Sequence, residues 1–322
     1  CIRLIKEYML EDLFGEDADK VKKVFLEEND DGNYRLKEEF HTQRKVEDHV
    51  IANPLEYKEQ EILLKNGLFT LIGNVLFFEE PGSDGNAFHP KIAFHSTYSY
   101  KELDDHIKGV LNDIYTHYYY HRQENFWREQ AMVKLPAINK ASDMLICGED
   151  LGMVPDCVPG VMHELGILRL YIQRMPKETD SEFGHPANAP YLSVASPSCH
   201  DMSTVRGWWE EDHDRSQRFY IQIMGHAGEA PVVCDTWISE EVLQQHLHSS
   251  AMWTIFPIQD LVGIDEKLMR ENPEDERIND PSNPDNLWQY RFHLNLGDLV
   301  KEKEFNKKLR SMVQNAGRFT KF

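Results

Sequence analysis

The sequence holds no run of about 18 uninterrupted apolar residues, so no segment reads as a membrane-spanning helix. No basic stretch followed by an apolar one stands near the start, so no signal peptide is visible. The chain opens on Cys1-Ile2-Arg3, which points to further residues upstream, with any targeting segment among them. Positive charge is scarce: 35 Lys and Arg face 55 Asp and Glu, for a net charge of −20. A polyanion would be repelled over most of such a surface, which argues against nucleic acid as a partner. A neutral polymer such as a glucan meets no such penalty. Cysteine is sparse and badly spaced for pairing. Cys1, Cys147, Cys157, Cys199 and Cys234 make an odd count with no CxxC, which argues against a disulfide framework or a structural zinc site. A reducing, cytoplasmic compartment is the expectation. Gly82 and Gly85 lack phosphate-loop spacing, so no nucleotide site is read there.

What is present suits a globular protein. The 322 residues are 41% hydrophobic and 11% aromatic, enough for a real core and for one large domain or two ordinary ones. The character changes near residue 135. Residues 1–65 are charged and read as helices, for example Asp17 to Glu28 with Val21, Val24 and Phe25 on one side. Leu68–Ile72 and Asn74–Phe78 suit short strands, and Pro81-Gly82-Ser83-Asp84-Gly85-Asn86 has turn chemistry. From Tyr100 an amphipathic helix is expected, with Leu103, Ile107, Val110, Leu111, Ile114 and Tyr118 at three- and four-residue steps.

Beyond it the rhythm becomes strand, loop, helix. Strands are expected at Met144–Cys147, Leu168–Met175, Tyr191–Ala195 and Met252–Ile258, with helices at Cys157–Leu165, Ser203–Gly225 and Glu240–His248 and a mostly helical tail from Asn286 to Phe322. Such alternation implies parallel pairing with right-handed crossovers. Four such units make half of a TIM-type (β/α)8 barrel, whose chemistry sits at the strands' carboxyl ends. Glu149 follows the first strand, Gln173-Arg174 the second, His200-Asp201 the third and Gln259-Asp260 the fourth. The fold class read from the sequence is therefore α/β: residues 1–135 form an α-rich lead-in and residues 136–322 the half barrel.

Paired carboxylates suit glycosidic chemistry, which needs a proton for the leaving oxygen and negative charge near the anomeric carbon. A retaining reaction adds a carboxylate nucleophile ~5–5.5 Å from the acid. Glu149 among apolar neighbours could hold the raised pKa of an acid/base. By spacing alone, a pair such as Glu149-Asp150 after a strand is more often a helix cap or a solvated loop, and the Asp of His200-Asp201 could simply cap the helix that follows.

Sequence motifs narrow that choice. Cys147-Gly148-Glu149-Asp150-Leu151-Gly152-Met153-Val154-Pro155 resembles the acid/base motif of glycoside hydrolase family 77, the amylomaltases and disproportionating enzymes. The run from Ser198 to Asp212 resembles the stretch carrying that family's third carboxylate. His121-Arg122-Gln123-Glu124, Ile172-Gln173-Arg174-Met175-Pro176, Pro257–Leu261 and Glu276-Arg277-Ile278-Asn279 complete a resemblance over roughly residues 65–295, nearest the family's plant-type cytosolic branch. The resemblance implies a 4-alpha-glucanotransferase that moves α-1,4-glucan units between maltooligosaccharides or glycogen, with no cofactor and no metal. It implies Glu149 as general acid/base and Asp201 as the carboxylate that steadies the transition state. His200 would bond the same sugar, with Asp150, Gln173 and Arg174 lining the site.

One element of the family pattern is missing. The family's nucleophile is an Asp in an Arg-Ile-Asp-His motif, and no such run occurs here. Asp48-His49 and Asp105-His106 lie in charged helical sequence and read as surface. In the plant-type branch a long insertion separates nucleophile from acid/base, and residues 1–135 fit that insertion and the chain leading to the fifth strand. The expectation is a C-terminal portion inactive alone, with the nucleophile upstream of Cys1, and with self-association or a missing N-terminal half to cover its exposed faces. A glucan-gripping module and a hydrolase of the wider α-amylase clan are the other readings. His117 and His121 stand at a metal-ligating spacing but read as part of an aromatic face, and Glu210–Asp214 as a solvated one. Cys199 beside His200 invites a thiol-nucleophile reading, which the family match at Asp201 makes unnecessary.

Overall fold

Helical periodicity dominates the first third of the chain. The computed structural model, which describes residues 5–53, 61–152, 154–177, 180–283 and 285–319, turns it into a unit of its own spanning residues 1–123. Cys1 and Met153 lie outside the described residues. Helices α1 (Glu7–Phe14), α2 (Ala18–Phe25), α3 (Gln43–Ala52) and α4 (Glu61–Ile72) surround the hairpin β1 (Leu26–Glu28)–β2 (Tyr34–Leu36). Their shared core includes Leu10, Phe14, Phe25, Val46, Leu68 and Leu71. Leu68–Ile72, expected as a strand, is the end of α4. Leu64, Leu68 and Leu71 recur at helical spacing and are all buried, and a short apolar run does not by itself separate helix from strand. Gly67 matters here, because a β-carbon on it would sit 2.2 Å from Phe14 Cε1.

The expected strand at 74–78 is reduced to β3 (Phe77–Glu79), paired antiparallel with β4 (Phe88–Pro90). Gly82, Asp84 and Gly85 all take positive φ in the turn between them, where the sequence placed its turn residues. After the short α5 (Tyr98–Lys101), α6 (Asp105–His117) starts later than Tyr100, because Asp104 Oδ1 accepts the Ile107 amide at 3.0 Å and caps it. Of its apolar stripe Leu111 is buried, whereas Ile107, Val110 and Ile114 stay exposed.

Composition shifts near residue 135, but contacts divide the chain between Gln123 and Glu124. The reason is that α7 (Gln123–Ala141) ties itself to the helix at residues 157–165 and its flanks. The Glu124 carboxylate accepts the Asp156 and Cys157 amides at 2.8 and 2.7 Å, Arg128 Nη2 donates to Glu164 at 2.6 Å, and Asn139 Nδ2 to the Leu165 carbonyl at 2.6 Å. Glu124 thus caps α8 (Cys157–Leu165), which Gly166 ends in a left-handed conformation.

The second unit is α/β. Strands β5 (Cys147–Gly148), β6 (Leu168–Ile172), β7 (Ser193–Ser196) and β8 (Trp253–Thr254) form a parallel sheet in sequence order, with Gly148 opposite Arg169, Ile172 opposite Ser196 and Ala195 opposite Thr254. All four overlap runs expected as strands: β6 and β8 lie inside them, whereas β5 and β7 each run one residue beyond, to Gly148 and Ser196. Helices α9 (Val205–Glu211), α10 (His213–Gln222) and α11 (Thr236–Leu247) lie between β7 and β8 and bury Trp209, Phe219 and Ile238 together. The single helix expected over 203–225 breaks at Asp212, whose Oδ1 accepts the Arg215 amide at 3.0 Å and starts α10. After α12 (Ile258–Val262), the described residues of the tail from Asn286 are helical only in α13 (Leu296–Leu299) and α14 (Lys303–Asn315). The stretch before Asn295 is irregular, and His293 Nε2 bonds the Leu268 carbonyl at 2.7 Å instead.

Candidate active site

Parallel strands present all their carboxyl ends on one edge, so residues directly after β5, β6, β7 and β8 meet there. Arg174 shows what holds that edge together. Its Nε donates to the Pro197 carbonyl at 3.0 Å, and its Nη2 to Ser198 Oγ and the Ser203 carbonyl, each at 2.7 Å. Its guanidinium also lies over the Trp208 ring, 5.3 Å from the centroid. Both ends of the loop after β7 are therefore clamped by one side chain. Burial pulls the Arg174 pKa down to about 10, against the opposing charges of Asp260 and Glu211. Asp260, fully buried after β8, accepts the Val205 amide at 2.8 Å and so fixes the start of α9. Burial raises the Asp260 pKa, with Ser198, Arg174 and the Val205 amide working the other way. Beneath the same helix, Arg206 and Glu276 form a buried ion pair at 2.7 Å, and Thr204 Oγ1 donates to the second Glu276 oxygen at 3.1 Å.

The clamped loop carries His200 and Asp201 at its tip, with side chains 56% and 48% exposed and His200 Nε2 3.2 Å from Asp201 Oδ2. The other Asp201 oxygen accepts from Asn279 Nδ2 at 2.7 Å, and Asn279 Oδ1 accepts in turn from Asn286 Nδ2 at 2.5 Å. The Trp288 ring packs against His200 with centroids 5.2 Å apart. An open pocket of about 370 Å³ lies beside this tip, lined by Asp201, Met202, Arg174, Met175, Trp208 and Arg277 among others.

Glu149 follows β5 and is exposed; its Oε1 accepts the Leu151 amide at 2.5 Å. The apolar surroundings expected for it are not supplied by the described residues, because the strand before it is only two residues long and leaves its tip in the open. Glu149 and Asp201 nevertheless follow strands of the same parallel sheet, at its carboxyl edge. Burial raises the Cys199 thiol pKa first, and the charges of Asp201 and then Glu149 add to it. That thiol stays protonated near neutral pH, which removes it as a nucleophile.

The three lining residues expected from the resemblance are engaged with the protein itself. Asp150 is buried: Arg169 Nε donates to it at 2.7 Å, the Leu170 amide at 3.0 Å, and Lys177 Nζ lies 2.9 Å away. Gln173, also buried, donates to Gln245 Oε1 at 2.8 Å. Beside Asp150, a pocket of about 570 Å³ runs along Leu151, Pro155, Arg169, Met175 and Lys177. Asp48 and Asp105 are exposed on α3 and α6 in the first unit.

Residues that sequence reasoning left without a role are Asn279, Asn286 and Trp288. Asn279 closes the Glu276-Arg277-Ile278-Asn279 motif, but nothing in the spacing links it to Asp201, 78 positions earlier.

The family model for 4-alpha-glucanotransferase matches residues 91–295. The 4-alpha-glucanotransferase DPE2 of Oryza sativa subsp. japonica is 39% identical over 317 residues, covering 98% of this chain and 33% of its own length. The 4-alpha-glucanotransferase of Chlamydia caviae is 32% identical over 175 residues, covering 53% of this chain and 32% of its own. Among solved structures, an amylomaltase from Streptococcus agalactiae in complex with acarbose matches with a TM-score of 0.44 at 21% identity, over 56% of this chain and 33% of that one. The chain thus spans about a third of the length of the curated relatives it matches.

Proposed function

This chain belongs to the 4-alpha-glucanotransferase family, and we propose that it supplies the acid/base side of a retaining glucan-transferring site. The observation that carries this reading is that Glu149 follows β5 and His200-Asp201 follow β7 at the carboxyl edge of one parallel sheet, with all three exposed. In the proposed reaction Glu149 protonates the oxygen leaving an α-1,4 bond, then as carboxylate accepts the proton of an incoming sugar hydroxyl. Asp201 and His200 hold hydroxyls of the sugar at the cleavage point, where fixed charge stabilises positive charge developing at the anomeric carbon. The carboxylate that forms the covalent glycosyl intermediate comes from outside these 322 residues, since no Arg-Ile-Asp-His run is present. Asp150, Gln173 and Arg174 are read as the residues that shape the site, because their polar atoms are bound to protein.

The sheet is read as half of a (β/α)8 barrel, with residues 1–135 as the insertion ahead of its fifth strand. Two features support that. The edge strands β5 and β8 are two residues each, and Met144, Leu145, Trp253 and Ile255 beside them are exposed, a surface that further strands would cover. Such covering would also supply the dry surroundings Glu149 needs to keep a proton at neutral pH. Among the described residues no helix is long and apolar enough to cross a membrane, and four free cysteines fit a reducing cytosol.

The test is product length. Full-length protein given maltotriose should yield both shorter and longer oligomers, and Glu149→Gln should abolish both; a product set containing only shorter sugars would convert the reading to hydrolysis. The missing nucleophile motif also favours a second reading for these residues alone, in which they grip glucan without cutting it. Binding of maltooligosaccharide without product formation is the result expected of it.

A further inference from the structure

The glucanotransferase reading places one sugar at His200-Asp201 and leaves open what holds the next one. A glucose ring has two unlike sides to satisfy: a rim of hydroxyls that needs hydrogen bonds, and faces of C–H groups that gain from a flat apolar surface. His200 and Asp201 offer the first kind of partner. Trp288 offers the second.

Three observations bear on Trp288. Its side chain remains 61% exposed in a protein that buries Trp209 almost completely, so one face of the indole is free. Its other side rests on the His200 ring at 5.2 Å, with the planes inclined by 52°. The chain just before it is tied to the same corner, since Asn286, two residues earlier, donates to Asn279 at 2.5 Å and Asn279 donates to Asp201 at 2.7 Å. The same hydrogen-bond relay that reaches the proposed transition-state carboxylate thus anchors the chain next to the indole, and the His200 ring packs against the indole itself. An exposed indole held at one angle by a charged corner is poorly explained as core packing; a rigid, amphipathic surface at a binding site has that form.

We propose that Trp288 is a sugar-stacking platform, binding one face of a glucose ring of an α-1,4-glucan next to the ring gripped by His200 and Asp201. This rests on the glucanotransferase reading of the same corner. It assigns Asn279 and Asn286 as positioning residues for both the carboxylate and the platform, and Trp288 as the residue that favours oligosaccharides over free glucose.

The experiment uses the full-length protein with maltotriose, following initial rates and tryptophan emission. Trp288→Ala should raise KM about tenfold, about 1.4 kcal/mol of lost binding, while kcat falls much less. Trp288→Phe keeps a flat ring and should recover most of that loss. Both variants should lose the part of the maltotriose-induced emission change that Trp288 contributes. A fall in kcat at unchanged KM in Trp288→Ala would mean that the indole only props His200, and would overturn the proposal. So would a Trp288→Phe variant as impaired as Trp288→Ala. The glucanotransferase reading fails differently, if Glu149→Gln leaves transfer intact. Wild-type transfer lost in Glu149→Gln but indifferent to Trp288→Ala would overturn the platform alone.

Discussion

At the carboxyl ends of β5, β6 and β7 the chain sets two kinds of polar residue side by side. Asp150, Gln173 and Arg174 are turned into the protein and spend their hydrogen bonds on Arg169, Gln245 and the backbone of residues 197–203. Glu149, His200 and Asp201 stay in the open. Glu149 and Asp150 are consecutive residues, yet one is exposed and the other buried between two cations. The difference teaches that residue type and family motif identify the neighbourhood of a site, while burial separates the groups free to meet substrate from those that hold them in place. It also separates what each substitution should do.

The largest effect is expected from the exposed member. Glu149→Gln removes the proposed acid/base and should lower kcat for transfer by about 10⁴-fold, with a melting temperature close to wild type. A large drop in melting temperature would place Glu149 with the structural set. Its neighbour should behave in the opposite way. Asp150→Ala strands Arg169 and Lys177 and removes the acceptor of the Leu170 amide, at a cost of about 3 kcal/mol of stability. Urea unfolding measures this, and an unchanged midpoint would erase the contrast.

The buried set also carries a pH handle. His246 on α11 is buried, and its Nδ1 donates to the Val242 carbonyl at 2.7 Å, so the neutral ring has no proton on Nε2. Burial lowers its pKa to about 4 from the ordinary 6.5. The unfolded chain therefore takes up a proton below pH 6.5 that the folded chain refuses until about pH 4. This contribution to stability is complete above 6.5 and falls by about 3 kcal/mol as the pH drops to 4. Unfolding measured across that window should show the slope, and His246→Leu should flatten it.

Much of this was legible in advance. The four parallel strands fall where the apolar runs stood between loops, and α8 matches its expected bounds because Gly166 marks its end. Leu68–Ile72 misled because a five-residue apolar run fits either period, and the decisive fact, Phe14 against Gly67, lies more than fifty positions away. Motifs single out Glu149, His200 and Asp201, and the structure leaves all three exposed. The roles of Arg174 and Asp150 could not be separated from theirs on the same basis. A motif records which residues are kept together, and says nothing about which of their atoms are already bonded.

The smallest expected effect tests the bridge between the two sets. Asn279 is buried, yet it touches the exposed Asp201, so it belongs to neither set alone. Asn279→Ala takes one hydrogen bond from a carboxylate that keeps its contact with His200, and should lower kcat about tenfold, about 1.4 kcal/mol. Asn279→Asp is the sharper variant. It keeps the shape and can still accept from Asn286, but sets a second carboxylate 2.7 Å from Asp201 Oδ1. Two carboxylates that close share a proton, so activity should acquire an acidic pKa raised above the ordinary carboxylate range, with the alkaline side of the profile lost. A merely structural Asn279 would lower stability in both variants and leave the shape of the pH profile as it was.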